Sequence, residues 1–277
     1  MAEVGEPGIR HAAVLGRPVA HSLSPVLHNA AYRALGLSWH YSALDCGVEE
    51  LETALAERAG WAGFSLTMPL KRAGLEIAAD VSERAAIVGA TNTLLPHDAG
   101  WRADNTDVDG VLGAIGETSM RPSAVTVLGA GGTAQAVVAA VAELGLGECS
   151  VLVRDRSRTA QLQGTAERAG VTLEIGNLTV DARALQADLV VSTLPAGAAD
   201  TLAAASWRPG QVLLDAVYAP WPTAIAEGAV AAGATVLSGV LMLLHQAMAQ
   251  VVLMTDRPAP AQAMRAALRG AQPAAGV

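Results

Sequence analysis

Aromatic residues are scarce in this chain, which has a single Phe, Phe64, and three Tyr in 277 residues. Its cores must therefore be built from Ala, Val and Leu, a material that suits helices packed over a parallel sheet. Basic runs are missing and the formal net charge is −8, so nothing in the chain offers nucleic acid an electrostatic footprint. An acidic chain that takes anionic ligands must hold them with helix N-termini, hydroxyls and single Lys or Arg residues. Cysteine is scarce too. Cys46 and Cys149 stand far apart, outside any metal or redox spacing, and read as small buried hydrophobes in a reducing cytosol. The segment Met1 to Pro7 is acidic and lacks a signal-peptide pattern. The longest apolar stretch, Ala229 to Leu244, is broken by Gly233, Ser238 and Gly239, which argues against a transmembrane span. The expectation is a cytoplasmic protein with neither nucleic-acid nor membrane partners.

What the chain has in quantity is apolar material, 52% of its residues, against 16% charged. That is ample for buried cores and argues against long disorder. The length suits two modest domains. In the first third, strands are expected at His11–Leu15, Trp39–Leu44 and Gly63–Thr67. Helices are expected at Pro25–Leu35, with Ser24 as N-cap and Pro25 at the first helical position, and at Val48–Arg58. The order βαβαβ implies a parallel sheet with right-handed crossovers. A helix-like segment, Val108–Ile115, precedes the break at Arg121–Pro122–Ser123, near which a domain boundary falls. A second series then runs: strand Ala124–Leu128, helix Thr133–Leu144, strand Ser150–Val153, helix Ser157–Ala169, and strands Asp188–Val191 and Val212–Leu214. A last helix, Val240–Met254, leads into an Ala/Pro-rich tail expected to be loosely held.

The strand Ala124–Leu128 runs directly into Gly129, Ala130, Gly131, Gly132, Thr133 and Ala134, and then into a helical pattern. Gly129 permits a tight strand-to-helix turn, Gly131 lets backbone approach a pyrophosphate, and Ala134 allows close helix–strand packing. The N–H groups at the helix start then face the phosphates. Alone such a turn is a weak signal, but the strand–turn–helix–strand context fits a dinucleotide site. An acid closing the second strand would accept hydrogen bonds from the ribose diol of NAD. Here Val153 closes it, followed by Arg154, Asp155, Arg156, Ser157 and Arg158. Guanidinium groups suit a 2′-phosphate, which favours NADP over NAD. Asp155 dissents, since it could serve a diol or repel a phosphate.

Further clusters lie outside this region: Gly16 through His21, Ser22, Ser24 and Pro25 to His28 and Asn29; Thr67, Pro69 and Lys71; Gly89, Asn92 and Thr93; Asn105, Thr106, Asp107 and Gly110; and Gly239, Met242, Leu243 and Gln246. In this order, with the glycine turn, they resemble the shikimate dehydrogenase family over nearly the whole chain. The resemblance implies an α/β chain of two domains: a mainly parallel substrate domain (9–106 plus 241–270) and a Rossmann-like NADP-binding domain (107–240), with a cleft between them. It implies reversible NADPH-dependent reduction of 3-dehydroshikimate to shikimate, within chorismate and aromatic amino acid biosynthesis. Carboxylate-binding hydroxyls then fall on Ser22 and Ser24, and ring-hydroxyl contacts on Thr67, Lys71, Asn92, Asp107 and Gln246. Tyr218 lines the cleft. Cofactor contacts fall on Gly129, Ala130, Gly131, Gly132, Thr133, Arg154, Arg158 and Gly239.

The residues themselves allow these roles. Ser22 and Ser24, two apart at a helix entrance, can converge on a carboxylate with nearby N–H groups, while Ser24 can also cap the helix. Gln246 is a polar residue on an otherwise apolar helix and must face either solvent or a cleft. His245 reads as a bystander, and His21 and His28 are too far apart for a paired metal site, so no metal is expected. Reducing a ketone builds negative charge on oxygen, which calls for a proton and an electrostatic partner. An ammonium at Lys71 supplies both as acid/base, with Asp107 orienting it and a substrate hydroxyl. Rival readings are an NAD-linked quinate/shikimate or aminoshikimate dehydrogenase and, in another class, a non-catalytic dinucleotide sensor. The Ser22 and Ser24 pair resembles the shikimate-preferring pattern of the family and weighs against quinate, while Asp155 gives NAD some support; aminoshikimate stays open, and the presence of both Lys71 and Asp107 weighs against the sensor. Monomer and homodimer both remain open.

Overall fold

The computed structural model describes residues 8–98 and 100–271. The acidic segment Met1 to Pro7 and the final residues of the tail lie outside them. The first half comprises β1 (Arg10–Gly16), α1 (Ser24–Ala34), β2 (Trp39–Asp45), α2 (Leu51–Ala56), β3 (Phe64–Leu66) and α3 (Lys71–Glu76). It continues with β4 (Asp80–Val81), α4 (Glu83–Val88), β5 (Thr93–His97), β6 (Gly100–Asp104) and α5 (Asp107–Gly116). The second half holds β7 (Val125–Leu128), α6 (Gly132–Glu143), β8 (Glu148–Val153), α7 (Ala160–Ala169), β9 (Thr172–Asn177) and β10 (Leu189–Ser192). It closes with β11 (Val212–Asp215), α8 (Ala224–Ala231), β12 (Thr235–Ser238), α9 (Gly239–Thr255) and α10 (Ala261–Ala271).

Two six-stranded sheets result, ordered β2-β1-β3-β5-β6-β4 and β12-β11-β10-β7-β8-β9. The expected βαβαβ start is present, with β1 parallel to both β2 and β3. Beyond it β5 runs antiparallel to β3 and to β6, so the first sheet is mixed though mainly parallel. Every pair in the second sheet is parallel. Its order turns back between β7 and β10, and a crevice at such a switch point is where doubly wound sheets take ligands.

Several expectations need correction. Ser24 is the first residue of α1 and does not cap it: Leu23 occupies the cap and no side chain bonds there. The helix expected over 48–58 divides into a 3₁₀ turn, Val48–Glu50, and the short α2. The tail is not loosely held up to Ala271. It forms α10, whose Met264 and Leu268 are fully buried among residues of α1 and α9. A stripe with one apolar residue per turn is narrow, and an Ala/Pro-rich context hid it.

The last long helix joins the halves. Residues of α9 contribute Leu241 and Met242 to the core beneath the second sheet, and Val240, Leu244, Ala247 and Val251 to the core beside β1 and α1. Helix α5 lies between, burying Val108, Val111, Ala114 and Ile115 with the α6 residues Val137 and Val141. Cys46 and Cys149 are free and buried, and burial pushes the Cys149 thiol up to about 12. No described helix is long and apolar enough to cross a membrane.

Candidate active site

Lys71 opens α3, immediately after a tight turn in which Leu70 N–H donates to Thr67 O. Asp107 opens α5, its N–H held by Asn105 Oδ1. Lys71 Nζ lies 2.5 Å from Asp107 Oδ2, and the Lys side chain keeps 23% of its surface against 10% for the Asp. A carboxylate at the start of α5 suits the helix dipole, whereas an ammonium at the start of α3 does not. The pair compensates that placement.

Asn92 holds the other oxygen of Asp107. Its Nδ2 donates to Asp107 Oδ1 at 2.9 Å and to Thr106 Oγ1 at 3.0 Å, and lies 3.5 Å from Gln246 Oε1. Its Oδ1 accepts from Thr106 N–H at 2.8 Å. A backbone N–H can only donate, so the orientation of the Asn92 amide is fixed by geometry. Gln246 is 92% buried on α9, with Nε2 donating to Leu243 O. It therefore does not face solvent, and its Oε1 is turned toward Asn92.

The approach of α5 to α9 depends on Gly110. A Cβ there would sit 2.7 Å from Met242 O, a backbone atom that cannot swing away. Gly110 thus sets the distance between α5, which carries Asp107 just upstream, and α9, which carries Gln246 one turn after Met242.

The other expected substrate residues make contacts of their own, none of them a hydrogen bond to this centre. Ser24 is buried, and its N–H donates to Ser22 Oγ at 3.3 Å. Thr67 is partly exposed, with its N–H bound to Leu15 O at the end of β1. Tyr218 reaches from the segment after β11 to pack on the core beside α1, and burial raises its phenol. His28 is fully buried against Tyr41, with ring centroids 4.0 Å apart. Its Nδ1 faces Ser24 O at 2.9 Å, and because a carbonyl only accepts, Nδ1 carries the proton. His245 pairs with Glu117 at 2.7 Å, outside this cluster.

In the second sheet, Gly129 has φ +105° just after β7, a left-handed conformation that favours glycine. Gly131 caps α6 in extended backbone, and Gly131 and Gly132 are exposed while Ala134 is buried. A Cβ at Gly131 would meet nothing within 4 Å, and no side chain caps the twelve-residue helix, whose first N–H groups have no partner within the helix. That donor set fits a pyrophosphate. Arg154, Arg156 and Arg158 are all exposed beyond β8. Asp155 serves the local backbone, since its Oδ1 accepts from Ser157 N–H at 2.9 Å and Ser157 Oγ at 2.6 Å, capping the 3₁₀ turn. Those bonds hold its carboxyl below the ordinary range. Gly239, at the start of α9, is buried, with its N–H 3.3 Å from Val217 O. Among the described residues no group of three or more His, Cys, Asp or Glu could hold a metal.

Sequence reasoning assigned no role to Thr106, Thr93, Ser65 or Gln250, which build the floor under Asn92. Gln250 carried a signal: it lies four residues after Gln246, on the same face of an apolar helix.

Residues 14–94 match the family model described as the shikimate dehydrogenase substrate binding domain, and residues 239–269 match the shikimate 5'-dehydrogenase C-terminal domain. A protein of Moorella thermoacetica named shikimate dehydrogenase (NADP(+)) is 37% identical over 272 residues, covering 94% of this chain and 92% of that protein. The crystal structure of Mycobacterium tuberculosis shikimate dehydrogenase matches with TM-score 0.83 and 45% identity, over 94% of this chain and 99% of that one. The Thermus thermophilus shikimate 5-dehydrogenase, solved in complex with NADP(H) and shikimate, matches with TM-score 0.81 and 34% identity, over 95% of this chain and all of that one.

Proposed function

The chain belongs to the shikimate dehydrogenase family, and on that premise we propose that it interconverts 3-dehydroshikimate and shikimate reversibly with NADP. The observation that carries this reading is the Lys71–Asp107 pair, whose carboxylate is held by Asn92, which in turn meets Gln246. In the proposed arrangement the substrate domain spans 9–106 and 241–270, and the cofactor domain 107–240.

NADP fits the residues present: the N–H groups at the start of α6, from Gly131 to Thr133, for the pyrophosphate and the exposed Arg154 and Arg158 for the 2′-phosphate. Bound there, the cofactor supplies the hydride for ketone reduction and takes it back in the oxidation. Lys71 Nζ donates its proton to the carbonyl oxygen as negative charge grows on it, leaving a neutral amine that solvent reprotonates. In the oxidation the neutral amine accepts the hydroxyl proton. Asp107 orients the ammonium through Oδ2 and accepts from a ring hydroxyl. Asn92 and Gln246 face the remaining ring hydroxyls, Thr67 borders them, and Ser22 and Ser24 hold the carboxylate, with Tyr218 closing the cleft.

Initial rates with shikimate and with quinate, each against NADP and NAD, test the assignment. The shikimate–NADP pair should give the highest kcat/KM; a preference for quinate with NAD would overturn substrate and cofactor together.

A further inference from the structure

Beneath Asn92 lies a run of buried polar side chains that neither sheet nor helix requires. Tyr41 Oη donates to Ser65 Oγ at 2.5 Å, and Ser65 Oγ to Gln250 Oε1 at 2.8 Å. Gln250 Nε2 donates to Asn92 O at 3.2 Å and to Thr93 Oγ1 at 3.0 Å. Thr93 Oγ1 then donates to Asn92 Oδ1 at 2.9 Å. Every member is more than nine-tenths buried, so water cannot substitute for a lost partner.

The direction of the run follows from two fixed groups. Asn92 O can only accept, so the amino end of Gln250 must face it, and Oε1 must face Ser65. Ser65 therefore spends its proton on Gln250 and accepts from Tyr41. Thr93 accepts from Gln250, which leaves its own proton for Asn92 Oδ1. Thr106 N–H independently marks Oδ1 as the acceptor end of Asn92. All donors thus point one way, from Tyr41 on β2 to Asn92, whose amino edge donates to Asp107. A neutral amide on α9, one turn beyond Gln246, sets the polarity at the middle of the run.

We propose that Gln250 is a positioning residue for the reaction: acting through Thr93, it holds the Asn92 amide with its donor edge toward Asp107 and the substrate. This inference rests on the assignment of Asn92 and Asp107 to the substrate site. Gln250 itself makes no contact with Lys71 or the glycine turn, so its effect belongs to substrate placement and not to cofactor affinity.

The test compares Gln250→Met, Thr93→Val and the double variant with wild type in steady-state shikimate oxidation by NADP, with Thr93→Ser as the conservative control. Each single variant should raise KM for shikimate and lower kcat/KM about ten-fold, with KM for NADP within about two-fold. Thr93→Ser should restore near-wild-type kinetics, and the double variant should be no worse than the poorer single one, because both act on one amide. A merely structural role would lower Tm and leave KM for shikimate unmoved in the folded fraction. That result, or effects of the two substitutions that multiply, overturns the inference. If Gln250→Met does not fold, the Thr93→Val against Thr93→Ser comparison decides by the same KM criterion. A wild-type protein that does not turn over shikimate sinks the assigned reaction and this inference with it, whereas wild-type turnover with unchanged variants sinks this inference alone.

Discussion

Lys71 occupies a place where a helix start would favour an acid, and it is tolerated there because Asp107 lies 2.5 Å away. A residue that breaks a local rule and is compensated from another element is best explained by chemistry. If Lys71 delivers the proton, Lys71→Ala should lower kcat by on the order of 10²–10⁴-fold while KM for shikimate changes little. An unchanged kcat would refute that role. His28 bears on stability instead. Complete burial lowers its imidazole to about 4, from an ordinary value of 6.5. Above pH 6.5 the ring is neutral in both folded and unfolded chains, and its contribution is fully present. Between 6.5 and 4 the unfolded ring takes up a proton that the native one refuses, so stability falls as pH drops, by about 3 kcal/mol in all. Urea unfolding at pH 7 and pH 4.5 should show His28→Leu losing less than wild type across that interval. Equal losses would refute it.

Among the elements, those with a strong pattern were legible from the sequence. The first three strands and their crossovers, the turn at Gly129 and the helix carrying Gln246 announce themselves by apolar runs and small residues at fixed offsets. Strands β5 and β6 do not. Their pairing is antiparallel inside a mainly parallel sheet, and two of the residues in the hairpin are Pro96 and Gly100, which read as loop. The floor beneath Asn92 was hidden for a different reason. Ser65, Thr93 and Gln250 are distant in sequence and meet only because β3 pairs with β5 and α9 returns across them. Helix α10 was misread because its composition resembles a tail, although Met264 and Leu268 are as buried as any core residue. Met264→Ala and Leu268→Ala should each cost about 2–5 kcal/mol of unfolding free energy. A cost near zero in thermal or urea unfolding would mean that α10 is dispensable to the core.

At the scale of the whole molecule, the question is whether the two sheets behave as one cooperative body. Arg84 of α4 forms a paired contact with Glu143 at the end of α6, both distances 2.9 Å, and a third bond to Asp109. On α7, Arg168 Nε donates to Ile87 O and Thr165 Oγ1 to Val88 O, satisfying carbonyls at the end of α4. The ion pairs are partly exposed and contribute at most about 1 kcal/mol. The apolar contacts matter more, because Val88 and Ala90 share one continuous core with Val108 and Val111 of α5, Val137 of α6 and Leu241 of α9. Splitting the halves would expose that core, so separate unfolding is disfavoured. NADP binding only to the native chain at 100 times its Kd should stabilise it by about 2.7 kcal/mol. If the halves unfold together, the slowest amides of β1 gain the same protection as those of β7, about 100-fold slower exchange, although β1 belongs to the sheet that lacks the glycine turn. Hydrogen exchange with and without NADP distinguishes the cases. Slowing confined to β7, β8 and β10 would show that the cofactor half opens independently and that α5 and α9 act as a hinge instead of a shared core.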